Sequence, residues 1–180
     1  AHGAQVIGCA SCHGGDNLAV EKEVAHADMI INPGDLRVVN RTCGAAGCHP
    51  TDVKKVINSL MATNRGILGT LLYYWGESDS QDTELTVKQL IDSGQSSLAI
   101  DYFRKLCGTC HLWKQKGDLV GEAPFFSEKG GGCSACHSMM PPGVEQPGVF
   151  DDEASFAAFE QVKKKVHPHV RATVADQQCI

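Results

Sequence analysis

The longest run of helix-like patterning lies between residues 51 and 75. Apolar residues recur there at intervals of three and four, the spacing of one helix face. We expect a first helix after Pro50, capped by Thr51 or Asp52, and a second helix close behind it. The predicted buried stripes are Val53, Val56, Ile57, Leu60 and Met61 in the first helix, and Ile67, Leu68, Leu71, Leu72 and Trp75 in the second.

Further helices are predicted after two loop-forming stretches. A polar, acidic loop at 76–84 precedes helices at 84–93 and 96–107. Proline and glycine predict a loop over 138–152, and acids followed by lysines predict a helix over 151–166. No alternating strand pattern of any length occurs, so the sequence predicts a mainly α, loop-rich fold with little or no β structure. The stripe of the last helix consists of Phe156, Phe159, Val162 and Val166.

The composition indicates how much apolar side-chain core the chain can form. The chain has 180 residues, of which only 6% are aromatic, so a conventional apolar core is expected to be thin. The most apolar stretch, 66–75, is far shorter than the roughly 20 residues that span a bilayer. The start "AHGAQVIGC" lacks the features of a signal peptide, so we take the sequence as a mature or trimmed product. A net charge of −5 without a long basic run argues against nucleic-acid binding.

Eight of the nine cysteines form four close pairs, and a histidine follows the second cysteine of each pair. C-x-x-C-H is the attachment signature of c-type haem. Two thiols add across the two vinyl groups on one porphyrin edge, and the adjacent histidine supplies the proximal imidazole of the iron. The four motifs are Cys9, Cys12 and His13; Cys43, Cys48 and His49; Cys107, Cys110 and His111; and Cys133, Cys136 and His137.

The second motif has four residues between its cysteines instead of two. Gly44 and Gly47 supply the backbone freedom that a bulged loop needs to restore the thiol spacing. Zinc ribbons, iron–sulfur clusters and redox disulfides also use close cysteine pairs, but none of them requires a histidine after each pair. We therefore interpret all four motifs as haem sites.

With these motifs the chain resembles a multihaem c-type cytochrome. The mixture of the two spacings is also found in the small tetrahaem cytochromes of sulfate reducers, but the long stretch between His49 and Cys107 departs from their compact plan. The resemblance implies four covalent haem c groups around which the fold is organised. It also implies a periplasmic or extracellular location, and other redox proteins or extracellular electron acceptors as partners.

Four histidines remain outside the motifs, one for each haem. Their number suggests that every iron has two histidine ligands and is low-spin, which generally gives lower potentials than a histidine and a methionine. Methionine is the competing ligand type, and Met61 is expected to serve in packing instead. The distal candidates are His2, His26, His167 and His169; the methionines are Met29, Met61, Met139 and Met140.

We expect an N-terminal two-haem segment at 1–50, a helical connecting segment at 51–106 and a C-terminal two-haem segment at 107–180, packed as one unit. The leading functional prediction is an electron-transfer protein and not an enzyme. One alternative is a polymeric extracellular filament, in which a histidine of one subunit ligates a haem of the next. Another is a redox enzyme with one open haem site, which the four spare histidines argue against. A third is one module of a larger multihaem protein.

The ninth cysteine, Cys179, stands one residue before the end of the sequence. Three interpretations stay open. It begins a fifth C-x-x-C-H motif that has been cut off, it forms a disulfide or a contact with a neighbouring subunit, or it is an inert terminal thiol.

Overall fold

The computed structural model describes residues 4–108, 111–115, 130–139, 157–158, 161 and 167–174. The prediction of a mainly helical chain is confirmed. The described helices are α1 (Ala4–Ile7), α2 (Ala10–His13), α3 (Lys22–Ala25), α4 (Pro50–Ile57), α5 (Leu60–Thr63), α6 (Arg65–Tyr74), α7 (Val87–Ser93), α8 (Leu98–Leu106) and α9 (Ser134–His137), with a 3-10 turn at Val39–Arg41. Among these helices, none is long and apolar enough to cross a membrane.

The chain divides into two compact units. The first unit is Gly3–Ala135, and the second consists of Ala1–His2 with Cys136–Ile180. The first three cysteine motifs fall in the first unit, whereas the division cuts the fourth motif between Ala135 and Cys136. The three-segment organisation stays a prediction.

The helix predicted after Pro50 begins and ends earlier than its apolar stripe indicates. The predicted caps Thr51 and Asp52 are wrong, because α4 starts at Pro50 and His49 is its N-cap. Proline suits this first helical position, since its missing N–H would have no partner within the helix. The early start joins the histidine of the second motif directly to α4.

The predicted stripe is interrupted after Ile57. The Ser59 hydroxyl accepts a hydrogen bond from the Ala62 N–H at 3.3 Å, so it caps a new helix, α5, instead of continuing the old one. Leu60 is therefore 75% exposed and Met61 57% exposed, which contradicts the predicted packing of Met61. Ala62 takes the buried position in their place.

The two helices predicted before the third motif are confirmed as α7 and α8. Thr86 and Gln89 form a capping box at the start of α7, and Gly94 ends that helix in the left-handed conformation at φ +64°. The Ser97 hydroxyl caps α8 by accepting from the Ile100 N–H at 3.2 Å. These helices pack with α6 around a buried cluster of Leu68, Val87, Leu90, Ile100 and Phe103.

A second buried cluster lies around the 3-10 turn and α4. Trp113 packs against both clusters and so links them. Among the described residues of the first unit, buried positions therefore occur only between residues 34 and 132, and no residue from 6 to 33 is buried. The members of this cluster, called the first cluster below, are Leu36, Val39, Val53, Ala62 and Leu112.

The described part of the second unit contains a short antiparallel pair of strands. Strands β1 (Ser138–Met139) and β2 (His169–Val170) pair, with Ser138 opposite Val170. The loop predicted from residue 138 onward therefore begins with a strand. The helix predicted at 151–166 and its apolar stripe lie outside the described residues, except for residues 157, 158 and 161.

Glu77 joins the end of α6 to the start of α8, and its charge is predicted to stabilise the fold at neutral pH. Its carboxylate accepts hydrogen bonds from the Ser97 hydroxyl and from the Ala99 N–H at 3.0 Å. These bonds hold the pKa of Glu77 below its ordinary value. We expect Glu77→Gln to lower the free energy of unfolding at pH 7, measured by guanidinium denaturation.

The pH dependence of this effect follows from the direction of the shift. A carboxylate with a depressed folded-state pKa contributes stability above its unfolded pKa of about 4.3 and loses that contribution as the pH falls through the folded value. The difference between Glu77→Gln and wild type should therefore shrink from pH 7 to pH 3. Glu21→Gln is the control, because Glu21 precedes α3 without a side-chain cap hydrogen bond. An equal loss at both pH values contradicts this prediction.

Candidate functional site

The first cysteine motif is one turn of helix. Cys9 is the N-cap of α2, and its carbonyl accepts from the Cys12 N–H at 3.1 Å and from the His13 N–H at 2.9 Å. Cys9 is exposed, while Cys12 and His13 are half-buried. The turn thus holds two thiols and an imidazole on one short, locally closed piece of backbone.

The second motif is closed by the same bond in spite of its longer spacing. The His49 N–H donates to the Cys43 carbonyl at 2.8 Å, which matches the bond between His13 and Cys9. Gly47 permits the extra loop by adopting φ +84°, and a Cβ on Gly44 would lie only 3.0 Å from the Val39 carbonyl oxygen. Both positions therefore favour glycine: Gly44 because it packs closely against Val39, and Gly47 because of its backbone conformation.

His13 is held to Ile30 by two hydrogen bonds. The His13 Nδ1 atom lies 2.6 Å from the Ile30 carbonyl oxygen, and the Ile30 N–H donates to the His13 carbonyl at 2.7 Å. One bond fixes the imidazole ring and the other fixes the backbone of the same residue. The histidine of the first motif consequently has a defined orientation.

His137, in the second unit, has the same two-bond arrangement with Arg171. Its Nδ1 atom lies 2.8 Å from the Arg171 carbonyl oxygen, and the Arg171 N–H donates to the His137 carbonyl at 2.9 Å. The two histidines close different motifs and lie 124 positions apart in the sequence, yet both make the same pair of hydrogen bonds to backbone atoms. We call this arrangement the histidine clamp.

The clamp fixes the tautomer of each imidazole. A backbone carbonyl can only accept a hydrogen bond, so Nδ1 must carry the proton. In a neutral ring the lone pair is then on Nε2, the atom that binds the metal when Nδ1–H is held by a carbonyl. His13 and His137 could therefore bind a metal through Nε2.

The third motif follows α8 directly. Cys107 is the C-cap of α8 and packs against its buried cluster. His111 is half-buried and lines a cavity of about 130 Å³ together with apolar side chains such as Ile100 and Phe103. The histidine of this motif therefore lies beside apolar side chains. Cys110 lies outside the described residues.

The thiols of the first two motifs lie near one another. Burial raises the pKa of Cys12, and the charges of Cys48 and Cys9 raise it further. Burial likewise raises the pKa of Cys43, with Cys12 and Cys48 adding to the effect. None of these four cysteines forms a disulfide. The raised pKa keeps Cys12 and Cys43 protonated at neutral pH.

Three of the four distal candidates lie among the described residues, and all three are exposed. The His26 Nδ1 atom lies 2.7 Å from the Lys22 carbonyl oxygen, and the His167 Nδ1 atom lies 2.7 Å from the Pro168 carbonyl oxygen. Both rings thus share the Nδ1–H tautomer of the clamped histidines. His169 belongs to β2, and His2 lies outside the described residues.

Sequence reasoning missed Ile30 and Arg171, because they act through backbone atoms that leave no side-chain signature. A spacing signal was nevertheless present. His26 stands four residues before Ile30, and His167 stands four residues before Arg171. Each clamp is therefore accompanied by a candidate distal histidine at the same offset.

Three apolar side chains that follow the first motif in the sequence are almost fully exposed. Leu18 is 86% exposed, Val20 98% and Ile31 86%. Exposed apolar side chains of this kind can contact the face of a bound apolar group. A porphyrin attached to Cys9 and Cys12 supplies apolar faces of this kind, so the residues present fit the group.

No group of three or more metal-binding side chains occurs in the part of the chain that the structure describes. A haem site requires none, since the porphyrin contributes four nitrogens and the protein only the axial ligands. Comparison with protein families, with curated proteins and with solved structures found no match to this chain.

Proposed function

We propose that this protein is a multihaem c-type cytochrome that carries electrons between redox partners through four covalently attached haems. The recurrence of the histidine clamp at His13 and His137 carries the proposal. It places the proton on Nδ1, and therefore the lone pair of the neutral ring on Nε2, at two motifs that share only the C-x-x-C-H pattern. The closing bond shared by the first two motifs supports the inclusion of the C-x₄-C-H site.

Each class of residue has one role in this proposal. The eight motif cysteines provide thioether bonds, in which sulfur bonds to one vinyl carbon and the thiol proton goes to the other. The motif histidines provide proximal ligands, and bound haem supplies the one-electron chemistry of its iron. The distal ligands are assigned to His2, His26, His167 and His169.

The proposed setting follows from the cytochrome class. Covalent attachment of haem c takes place outside the cytoplasmic membrane in bacteria and archaea. We therefore place the protein in the periplasm or outside the cell, with other redox proteins or extracellular electron acceptors as partners. Exposed cysteines such as Cys9 and Cys48 leave a haem edge near the protein surface, where a partner can approach.

Electron paramagnetic resonance of the oxidised, haem-loaded protein tests this function against the enzymatic alternative. Two histidine ligands at every iron give low-spin signals only, which is the expected result. An enzyme needs one haem with an open axial position. A high-spin, five-coordinate fraction in the intact protein would therefore contradict pure electron transfer.

A further inference from the structure

Five consecutive residues contact three of the four cysteine motifs. They are Ile30, Ile31, Asn32, Pro33 and Gly34, called the mount segment below. Sequence reasoning gave this stretch no role, although Asn-Pro-Gly is typical of a turn. The Asn32 side chain accepts from the Gly34 N–H at 3.2 Å, which fixes the turn locally.

The N-terminal part of the mount segment holds the first two motifs. Ile30 forms the clamp with His13. Three residues later, the Pro33 carbonyl oxygen accepts from the Thr42 hydroxyl and from the Cys43 thiol, the latter at 3.6 Å. The ligand of the first motif and a thiol of the second therefore contact the same short stretch of backbone.

The C-terminal part of the mount segment holds the start of the fourth motif. The Gly34 carbonyl accepts from the Cys133 N–H at 2.9 Å. The Asn32 amide accepts from the Ser134 hydroxyl and donates to the Gly131 carbonyl at 3.1 Å. A Cβ added to Gly34 would lie 2.5 Å from the Ser134 nitrogen, so the two backbones are in close contact.

Chain geometry limits how far apart these attachment points lie. Four peptide steps span at most about 14 Å, and each hydrogen bond adds about 3 Å, so the contacted atoms lie within about 20 Å of one another. An independent observation agrees with this limit. Cys43 and Cys133 both pack against the first cluster, although 90 positions separate them in the sequence.

We infer that the mount segment sets the relative positions of the attachment points of the first, second and fourth haems, with Asn32 as the positioning residue for Cys133. The inference rests on the proposed function, because it assigns a role to residues that hold haem motifs. It places Cys133 beside the first two motifs, from which it is distant in the sequence.

The Asn32→Ala variant of the haem-loaded protein tests this inference. Circular dichroism in the Soret band reports coupling between neighbouring haems, and a redox titration reports the potential of each. We expect Asn32→Ala to keep four haems by intact mass, to show a weaker Soret couplet and to shift one step of the titration. Asn58→Ala is the matched control, because the Asn58 side chain donates to the Lys54 carbonyl of α4, the helix that Asn58 caps, at 2.8 Å, and the variant should leave both signals unchanged.

The outcomes separate this inference from the proposed function. A wild-type mass without covalent haem overturns the proposed function itself. Four haems in Asn32→Ala, with the Soret couplet and titration of wild type, overturn the role of the mount segment and leave the cytochrome intact. Should Asn32→Ala not accumulate, Asn32→Asp keeps the acceptor oxygen but loses the donor to Gly131, and wild-type signals in that variant overturn the inference equally.

Discussion

Replacing Cys43 and Cys48 together by alanine is expected to lower the number of covalently attached haems from four to three. These cysteines form the pair with the longer spacing, and the closing bond from His49 to Cys43 makes their loop equivalent to the shorter motifs. With both thiols removed, no thioether can form at this motif. The melting temperature should fall as well, because the binding free energy of a prosthetic group is part of the folding free energy.

Intact mass spectrometry under denaturing conditions measures this loss as the mass of one haem. Cys179→Ala is the control, since Cys179 belongs to none of the four complete motifs, and it should keep the full haem count. An unchanged haem count in the double variant would show that the second motif is not an attachment site. If the double variant is degraded, the wild-type peptide that contains Cys43 and Cys48 gives the same answer, because it should carry one haem after proteolysis.

Replacing His26 by alanine is expected to convert about a quarter of the haem signal from low-spin to high-spin, since one of four irons loses its distal ligand. His26 is exposed and follows α3, where the Lys22 carbonyl holds its ring in the Nδ1–H tautomer. Loss of an imidazole ligand should also raise the potential of the affected haem. Added imidazole should restore the low-spin state, because it can occupy the vacated position.

Met29→Leu is the matched control for His26. Met29 lies three residues further on, is 41% exposed and is the rival ligand in the same turn. Leucine has a similar volume but no sulfur, so Met29→Leu should leave the spin state unchanged. A high-spin fraction in Met29→Leu together with a low-spin His26→Ala would transfer the distal role to the methionine.

The sequence alone predicted the elements whose signals are local. The helices predicted at 84–93 and 96–107 begin and end within a few residues of α7 and α8. The stripe that included Leu60 and Met61 misled because apolar spacing continued across the cap at Ser59, where the backbone starts a new helix. The spacing of apolar residues alone does not reveal such a break when that spacing continues from one helix into the next.

In the candidate site, too, some residues could be predicted from the sequence and others could not. The motif cysteines and histidines were readable because each has chemistry of its own at a fixed spacing. The contributions of Ile30 and Arg171 were not, since a backbone carbonyl is the same in every residue and only the fold decides which histidine it contacts. Asn32 was visible as a turn residue, but its contact with Ser134 joins residues 102 positions apart and depends on tertiary structure.

The intact mass of the haem-loaded protein under denaturing conditions tests the central claim most directly. Three C-x-x-C-H motifs and one C-x₄-C-H motif predict a mass equal to that of the polypeptide plus four haems, because the haems stay attached after unfolding. A smaller increment would contradict attachment at every motif. A mass equal to that of the polypeptide alone would contradict the cytochrome altogether.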